Sequence, residues 1–342
     1  MARQKFRDTA FRADSLARIE RLQEVVDEYK QQGLRLTARQ LYYQFVSRDY
    51  CPNTPVEYKK LTALLTDARY AGLIDWDVIE DRGREPSTPS EWNDIGALTE
   101  SALRAYRLPR WKGQDNYVEL WVEKQALAGV LAPIAREYHA TLMVNKGYSS
   151  ASAMKESADR INGQCILDKE KLDAFLAELK YAREEWQESG DDEEAWDEIK
   201  TAVQKRVVTS NVLRTPIILY LGDHDPSGED MVRDISTRLK EFGVYWLKVE
   251  KIGLTMAQVK RFNPPPNPAK ITDPRAASYI AKFGDKSWEV DALPPVELTR
   301  IIRAAFAKHI DKAKLAAILM QEETDKAKLR DAVSKIVKGK RP

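Results

Sequence analysis

The stretch TPIILYLGDHDPSGEDMVRDISTRLKEFG, residues 215–243, decides the fold of this 342-residue chain. Its apolar run PIILYL predicts a strand buried on both faces of a parallel sheet. The segment GDHDPSG follows as the exit loop, and the remainder predicts a helix capped by Ser227 and ended by Gly243. A buried strand followed directly by a helix is typical of an α/β protein.

Three further segments have the pattern of strands in the same sheet. They are NYVELWVEK (116–124), ATLMVNKG (140–147) and VYWLKVEKIGL (244–254). Strands that alternate with helices form a parallel sheet with helices on both faces, and ligands bind beyond the carboxyl ends of its strands. Glu123, Asp223 and Asp225 all map to that edge, which makes them the candidate site.

The candidate site carries three carboxylates, and their spacing favours a metal ion. Asp223 and Asp225 are two residues apart, so in an extended segment they point the same way. A D-x-D pair alone is more typical of a solvated loop, but Glu123 on the neighbouring strand and the flanking glycines favour metal binding. Oxygen ligands suit Mg²⁺, or Mn²⁺ in its place. We expect His224 to lie behind the ligands or to face solvent. The residues fit neither a Ser/His/Asp triad nor a zinc site, and no P-loop sequence follows the strand.

The N-terminal third predicts three helices followed by a strand and hairpin. The helices are SLARIERLQEVVDEYKQQG (15–33), TARQLYYQFVSR (37–48) and NTPVEYKKLTALLTDARYAG (53–72). Thr37 is suited to cap the second helix, and Thr54 with Glu57 predicts a capping box on the third. LIDWDVIEDRG, residues 73–83, has the alternation of a strand that ends in a polar turn.

This order of elements predicts a winged-helix (helix-turn-helix) domain that binds DNA. The third helix would then lie on the DNA with its basic residues Lys59, Lys60 and Arg69. A small helical domain with a solvated basic face explains the same pattern, and the sequence leaves both interpretations open.

The segment RQLYYQFV, residues 39–46, contains two adjacent tyrosines. Helical spacing places Tyr42 on the apolar face with Leu41 and Phe45, and it places Tyr43 on the polar side near Arg39. Tyr43 is therefore expected to be exposed. A phenol held near a guanidinium can attack a phosphodiester, and the arginine can stabilise the charge of the transition state.

Composition and charge limit the class of protein. No run of about 18 apolar residues predicts a membrane span, and the N-terminus is not of the secretory type. Cys51 and Cys165 lie far apart, as expected for reduced thiols in a cytoplasmic protein. Residues 168–200 carry a net charge of −8, so the rest of the chain carries +10 within a total of +2. A basic body with one acidic segment is compatible with nucleic-acid binding.

Together these motifs resemble the topoisomerase VI A subunit and its relative, the meiotic double-strand-break protein. That family joins a winged helix that bears R-x-x-Y-Y to a TOPRIM domain. Its further motifs are a strand that ends in V-E-K, a G-K-G turn, a D-x-D-P-x-G loop and an acidic-Ala-Leu-Pro segment. The matching stretches here are RQLYY, WVEK, NKG, DHDPSG and VDALPP, in the same order.

The resemblance implies a division into a winged-helix domain, residues 1–115, and a Rossmann-like TOPRIM domain, residues 116–342, with a mostly parallel sheet and a helical C-terminal extension. It implies that Tyr43 is the nucleophile, that Arg39 assists it, and that Lys146 of NKG contacts DNA. It further implies double-stranded DNA as substrate, a Mg²⁺ cofactor and a homodimer.

The chain also departs from the family. The NKG turn lacks the proline and the Thr-Arg that follow it in the family, and residues 165–210 predict an acidic helical insert. The chain has no ATPase motif, so strand passage would need a separate ATPase subunit. Two alternatives therefore remain beside tyrosine-mediated cleavage: a TOPRIM nuclease that uses metal-activated water, and a non-catalytic DNA-binding module.

Overall fold

The computed structural model of the protein describes residues 3–33, 35–79, 89–189, 192–269 and 271–338. The α-helices in these ranges are α1 (Ala13–Gln31), α2 (Ala38–Ser47), α3 (Pro55–Tyr70), α4 (Ile95–Ala105), α5 (Ala128–Glu137), α6 (Ala151–Cys165), α7 (Lys169–Ser189), α8 (Glu193–Thr209), α9 (Pro226–Glu241), α10 (Met256–Phe262), α11 (Ala276–Phe283), α12 (Pro295–Ala307) and α13 (Lys312–Lys338). The strands are β1 (Asn116–Val122), β2 (Leu142–Val144), β3 (Thr215–Leu221), β4 (Lys248–Gly253), β5 (Asn267–Pro268) and β6 (Lys286–Ser287).

Four of the strands form the predicted parallel sheet, in the order β2-β1-β3-β4. Trp121 pairs with Met143 across β1 and β2, and Tyr220 pairs with Lys251 across β3 and β4. Every residue of β3 is buried, as its continuous apolar run predicts. The α/β class, the parallel sheet and the helical C-terminal region are therefore confirmed.

The helix after β3 begins differently from the prediction. Its N-cap is Asp225, whose Oδ1 accepts a hydrogen bond of 2.7 Å from the Gly228 N–H. Pro226 occupies the first helical position, where its missing N–H costs nothing. Ser227 is thus not the cap but donates to the same Asp225 oxygen at 2.9 Å. Gly243 lies just beyond the helix with a φ of +79° that suits glycine.

The three N-terminal helices form as predicted, with one difference at a cap. Thr37 and Gln40 make a complete capping box on α2. Thr54 caps α3 by accepting from the Glu57 N–H, but the Glu57 side chain binds Arg18 and Lys60 instead of closing the box. These cations lie within reach of the carboxylate and satisfy it more strongly than a neutral backbone N–H does.

The predicted wing strand is wrong over its described part, residues 73–79. Residues 76–78 form a turn of 3₁₀ helix, started by the Asp75 carboxylate, which accepts from the Asp77 N–H. Trp76 packs edge-on against Phe6 and Tyr70. Its aromatic contacts override the alternating pattern. Ile79 makes one parallel bridge to Leu36, and the rest of the predicted hairpin, residues 80–83, lies outside the described residues.

The predicted exposure of Tyr43 is also wrong, because both tyrosines are buried. Tyr43 is 2% exposed and Tyr42 4%. Ser47 on the polar side of α2 is exposed, but much of this side does not face water. The helix packs against the short turn at residues 290–292, and the polar residues Gln40 and Gln44 are buried as well.

The chain divides into two compact units, each built from separate stretches. One comprises Met1–Arg84, Glu119–Asp159 and Ile217–Ala305, and the other Glu85–Val118, Arg160–Pro216 and Phe306–Pro342. The predicted boundary between residues 115 and 116 uses continuous stretches instead, and it stays a prediction.

The second unit contains the acidic insert. α7 and α8 pack against each other as a helical pair, and Trp186 stacks on Trp196 with their ring centroids 5.6 Å apart. In the same unit, the Glu322 carboxylate on α13 forms an ion pair with Arg110 Nη1 at 2.6 Å and accepts a hydrogen bond from the Leu108 N–H at 2.9 Å. The described residues of the acidic segment are therefore mostly helical, and their being an insert at residues 165–210 stays a prediction.

No helix in the described ranges combines the length and the apolar character needed to span a lipid bilayer. Cys51 and Cys165 are both buried, and neither takes part in a disulfide bond.

The cap of α2 provides a test of the local structure around the tyrosines. Thr37→Ala should lower the free energy of unfolding by about 1 kcal/mol, because the Gln40 N–H loses its partner. Urea denaturation measures the change. Thr66→Ala is the control, because Thr66 lies exposed inside α3 and caps nothing, and it should stay within about 0.5 kcal/mol of the parent. An equal loss in both variants would contradict the role of the cap.

Candidate functional site

The sheet brings Glu123 and Asp223 together at the carboxyl ends of β1 and β3. The Glu123 N–H donates to the carbonyl oxygen of Leu221 at 2.9 Å, which extends the pairing of these strands by one residue. The Asp223 N–H then donates to Glu123 Oε2 at 3.1 Å. Glu123 also lies 3.4 Å from the Tyr220 hydroxyl, which is buried beneath it. The predicted meeting of these two residues at one sheet edge is therefore found.

Asp223 is held from both sides. Its Oδ1 accepts from the Val290 N–H at 2.9 Å, and its Oδ2 lies 2.9 Å from the Lys124 ammonium. Asp225 follows as the cap of α9, so one of its oxygens is committed to the helix terminus. Both aspartates are buried. The D-x-D pair is therefore a built part of the fold and not a solvated loop.

The carboxylates repel one another across this edge. Burial raises the pKa of Glu123, and the negative charges of Asp223 and Asp225 raise it further. Burial likewise raises the pKa of Asp223, although the Lys124 ammonium opposes the shift. A positive charge placed among these groups would relieve the repulsion.

A metal ion at this edge would need both suitable donor atoms and a suitable arrangement of the side chains. In the part of the chain that the structure describes, no three His, Cys, Asp or Glu side chains are arranged to hold one. The donor chemistry does fit, because Glu123, Asp223 and Asp225 offer only oxygen atoms, which hard cations such as Mg²⁺ prefer. Lys124 provides the positive charge that balances Asp223 in this conformation. Metal binding would therefore require the carboxylates to reorient.

Glycines and a lysine close the loop between β3 and α9. A Cβ atom at Gly228 would lie 2.2 Å from the Asp223 carbonyl oxygen, and one at Gly222 would lie 2.5 Å from the Tyr220 hydroxyl. The Lys251 ammonium donates to the Asp223 carbonyl oxygen at 2.7 Å and to Glu229 Oε1 at 2.6 Å. This packing fixes the backbone that presents both aspartates.

His224 points into the protein interior. Its Nδ1 lies 2.7 Å from the Tyr279 hydroxyl, and its backbone pairs with that of Trp288. Burial lowers the pKa of the imidazole. The expectation that His224 lies behind the carboxylates agrees with this position, whereas the alternative of a solvent-facing residue is wrong.

Two acidic residues that sequence reasoning missed complete the site. Glu289 accepts from Arg39 Nη2 at 2.6 Å through Oε1 and from Lys124 Nζ at 2.8 Å through Oε2. Asp291 accepts from Lys124 Nζ at 3.1 Å, and its second oxygen lies 3.4 Å from Arg39 Nε. Asp291 belongs to VDALPP, residues 290–295, which resembles the acidic-Ala-Leu-Pro segment of the family. This resemblance is the only signal in the sequence for a role of Asp291.

The charged groups of this cluster shift one another's pKa values. Although burial opposes it, the Lys124 ammonium lowers the pKa of Glu289 to about 2. Burial raises the pKa of Asp291 to about 6, against the attraction of the same ammonium. Although burial opposes it, the charges of Asp291, Asp223 and Glu289 raise the pKa of Lys124. Glu289 is therefore ionised at neutral pH, and Lys124 is positively charged.

Tyr43 lies at the α2 side of this cluster, and the Arg39 guanidinium carbon is 5.9 Å from the centroid of its ring. Burial raises the pKa of the Tyr43 hydroxyl, the charges of Glu289 and Asp291 add to the shift, and Arg39 opposes it. The phenol is therefore protonated at neutral pH. The structure thus places the candidate nucleophile and the candidate metal ligands in one connected group of polar side chains.

The candidate DNA-binding residues differ in availability. Lys59 on α3 and Lys146 in the turn after β2 are exposed and have no ion-pair partner among the described residues. Lys60 binds Glu57 at 2.8 Å. Arg69 donates to the Trp76 carbonyl oxygen at 2.8 Å and lies over the indole ring, so part of its side chain is used in packing.

No protein-family model, no curated protein and no solved structure matches the chain. The resemblance to the topoisomerase VI A subunit therefore rests on the motifs in the chain, and the activity that it implies is a proposal.

Gly228 provides a test of the closed loop. Gly228→Ala should destabilise the protein by about 1–3 kcal/mol, because the added methyl group overlaps the Asp223 carbonyl oxygen and the backbone must move. Gly163→Ala is the matched control: Gly163 is exposed inside α6 with open space around it, so alanine there should stabilise by up to about 1 kcal/mol. Thermal denaturation of both variants decides, and a neutral Gly228→Ala would show that the loop is loose.

Proposed function

We propose that this protein is a Mg²⁺-dependent DNA-cleaving protein of the topoisomerase VI A type. The observation that carries the proposal is the chain of ion pairs from Arg39 through Glu289 and Lys124 to Asp223. It joins the helix that bears Tyr43 to the carboxylate edge of the sheet within one compact unit. A nucleophile, two cations and a set of oxygen ligands are the parts that cleavage of a phosphodiester needs.

In the proposed reaction, the Tyr43 hydroxyl oxygen attacks a backbone phosphorus atom. A bond forms between tyrosine and the phosphate at the 5′ end, the bond to the 3′ oxygen breaks, and that oxygen takes up a proton. The Tyr43 hydroxyl loses its proton as the new bond forms, which balances the proton gained by the 3′ oxygen. Arg39 and Lys124 would stabilise the added negative charge on the phosphate.

The metal ion, bound by Glu123, Asp223 and Asp225, would act as a Lewis acid on phosphate oxygens. Lys59, Lys60, Arg69 and Lys146 would contact the DNA backbone, which carries no sequence information. As in the family that the chain resembles, we propose a homodimer, and a separate ATPase subunit if strand passage occurs.

The burial of Tyr43 favours a second candidate function. With 2% of its surface exposed, the phenol must become accessible before it can attack DNA. A nuclease that activates water at the metal would not need this movement. Tyr43 would then serve to position Arg39 and Glu289.

Metal binding can be measured by calorimetric titration with MgCl₂ and MnCl₂. The wild type should bind the ion, and a double variant Asp223→Asn/Asp225→Asn should not, because it loses two of three carboxylate ligands. Glu297→Gln, which removes an acidic group paired with Arg300 on α12, is the control and should bind like the wild type. Equal binding by the wild type and the double variant would refute the assignment of the ligands.

A covalent-adduct assay separates the two reactions. The protein is incubated with supercoiled DNA and Mg²⁺, denatured in SDS, and examined for protein-linked ends. Tyr43→Phe should abolish the adduct, because no other group of the cluster can form the tyrosyl ester. Tyr42→Phe is the matched control: it removes a neighbouring hydroxyl that contacts Pro52, Asn53 and Thr54 instead of the cluster, so its adduct should persist.

Free ends produced by Tyr43→Phe at the wild-type rate would replace the proposal with metal-dependent hydrolysis. An intact substrate with both proteins, under conditions in which each binds DNA, would leave a DNA-binding module.

A further inference from the structure

Glu289 bridges the two cations of the site in a specific way. One carboxylate oxygen accepts from Arg39 at 2.6 Å, and the other accepts from Lys124 at 2.8 Å. Each cation thus binds one of two oxygens that share a single negative charge. The third neighbour is Asn267, whose amide nitrogen lies 3.5 Å from Oε1.

A phosphodiester presents the same pattern, because its two non-bridging oxygens also share one negative charge. Arginine and lysine are the side chains that bind phosphate most often in proteins. We propose that Arg39 and Lys124 form a binding site for one backbone phosphate of DNA, and that the Glu289 carboxylate occupies this site as an internal substitute that the phosphate displaces. This inference rests on the proposed function.

The different burial of the two acidic residues supports exchange at Glu289. The Asp291 side chain is completely buried, so it stays as the permanent counter-ion of Arg39 and Lys124. The Glu289 side chain is 21% exposed and can turn toward solvent. When Glu289 leaves, the two cations keep Asp291 and gain the phosphate.

The position of Tyr43 gives the exchange a consequence for the reaction. Tyr43 shares α2 with Arg39, whose guanidinium carbon lies 5.9 Å from the centroid of the Tyr43 ring. A phosphate bound to this guanidinium would therefore lie near Tyr43, the nucleophile of the proposed reaction. Displacement of Glu289 would thus bring the substrate to the side of the cluster that carries the nucleophile.

The test measures binding of a short fluorescein-labelled DNA duplex by anisotropy, in EDTA so that no metal-dependent cleavage occurs. Glu289→Gln keeps the shape of the side chain and the contact with Asn267 but removes the competing charge. It should lower the dissociation constant by about tenfold, the size expected when a competing charge-assisted interaction is lost. A melting curve confirms that the variant is folded.

Two comparisons separate this effect from a change of net charge. Glu137→Gln removes an equally charged group, which pairs with Arg303 at 2.8 Å and not with the cluster. If the proposal is right, this control should change the dissociation constant for DNA less than twofold. In a protein that also carries Arg39→Gln, Glu289→Gln should improve the affinity for DNA by less than half as much as it does alone. One of the two cations that it releases is then missing.

Tighter binding by Glu289→Gln alone, lost in the Arg39→Gln background, supports the inference. If Glu289→Gln improves the affinity for DNA no more than Glu137→Gln does, the inference about Glu289 is wrong. The proposed function is then still open and is tested by the adduct assay. Absence of DNA binding by every variant and by the wild type overturns both. If Glu289→Gln does not fold, Glu289→Ser replaces it in the same comparison, with the same outcomes.

Discussion

The ammonium group of Lys124 holds the candidate site together, because it contacts three carboxylates at once. Asp223, Glu289 and Asp291 all lie within 3.1 Å of its nitrogen. Because Asp223 and Asp291 are buried, loss of the lysine would leave their charges uncompensated, at a typical cost of about 3–5 kcal/mol. The end of β1, the loop after β3 and the segment before α12 are therefore tied to each other through one side chain.

The sheet and the placement of its acidic residues could be predicted from the sequence. The continuous apolar run of β3 has few alternatives to a buried strand, and the parallel arrangement then fixes where Glu123 and Asp223 must lie. Local signals worked equally well at Thr37, whose side chain is close in sequence to the N–H that it caps. In each case the partners are near neighbours or are related by the regular geometry of the sheet.

The orientation of Tyr43 could not be predicted in this way. A helical wheel assumes that the polar side of a helix faces water, yet the polar side of α2 faces a segment about 250 residues away, whose Glu289 binds Arg39. The pattern of residues 39–46 contains no trace of that partner. Glu289 and Asp291 were missed for the same reason, since an isolated acidic residue in a loop is usually solvated. The prediction of a wing strand was wrong because the aromatic contacts of Trp76 with Phe6 and Tyr70 depend on the tertiary structure.

Asp225 has two uses that draw on one carboxylate group, as the cap of α9 and as a candidate metal ligand. Its Oδ1 accepts the Gly228 N–H that begins α9, so the first turn of this helix depends on a carboxylate of the candidate metal site. An ion that draws this oxygen away leaves a backbone donor unpaired, and part of its binding free energy is then spent on the helix. The affinity for the ion and the fraying of α9 are therefore linked: the more strongly Asp225 caps the helix, the more weakly it binds the ion. The amide hydrogens of Gly228 and Glu229 would exchange faster with solvent as the site fills, which makes the start of the helix a reporter of occupancy.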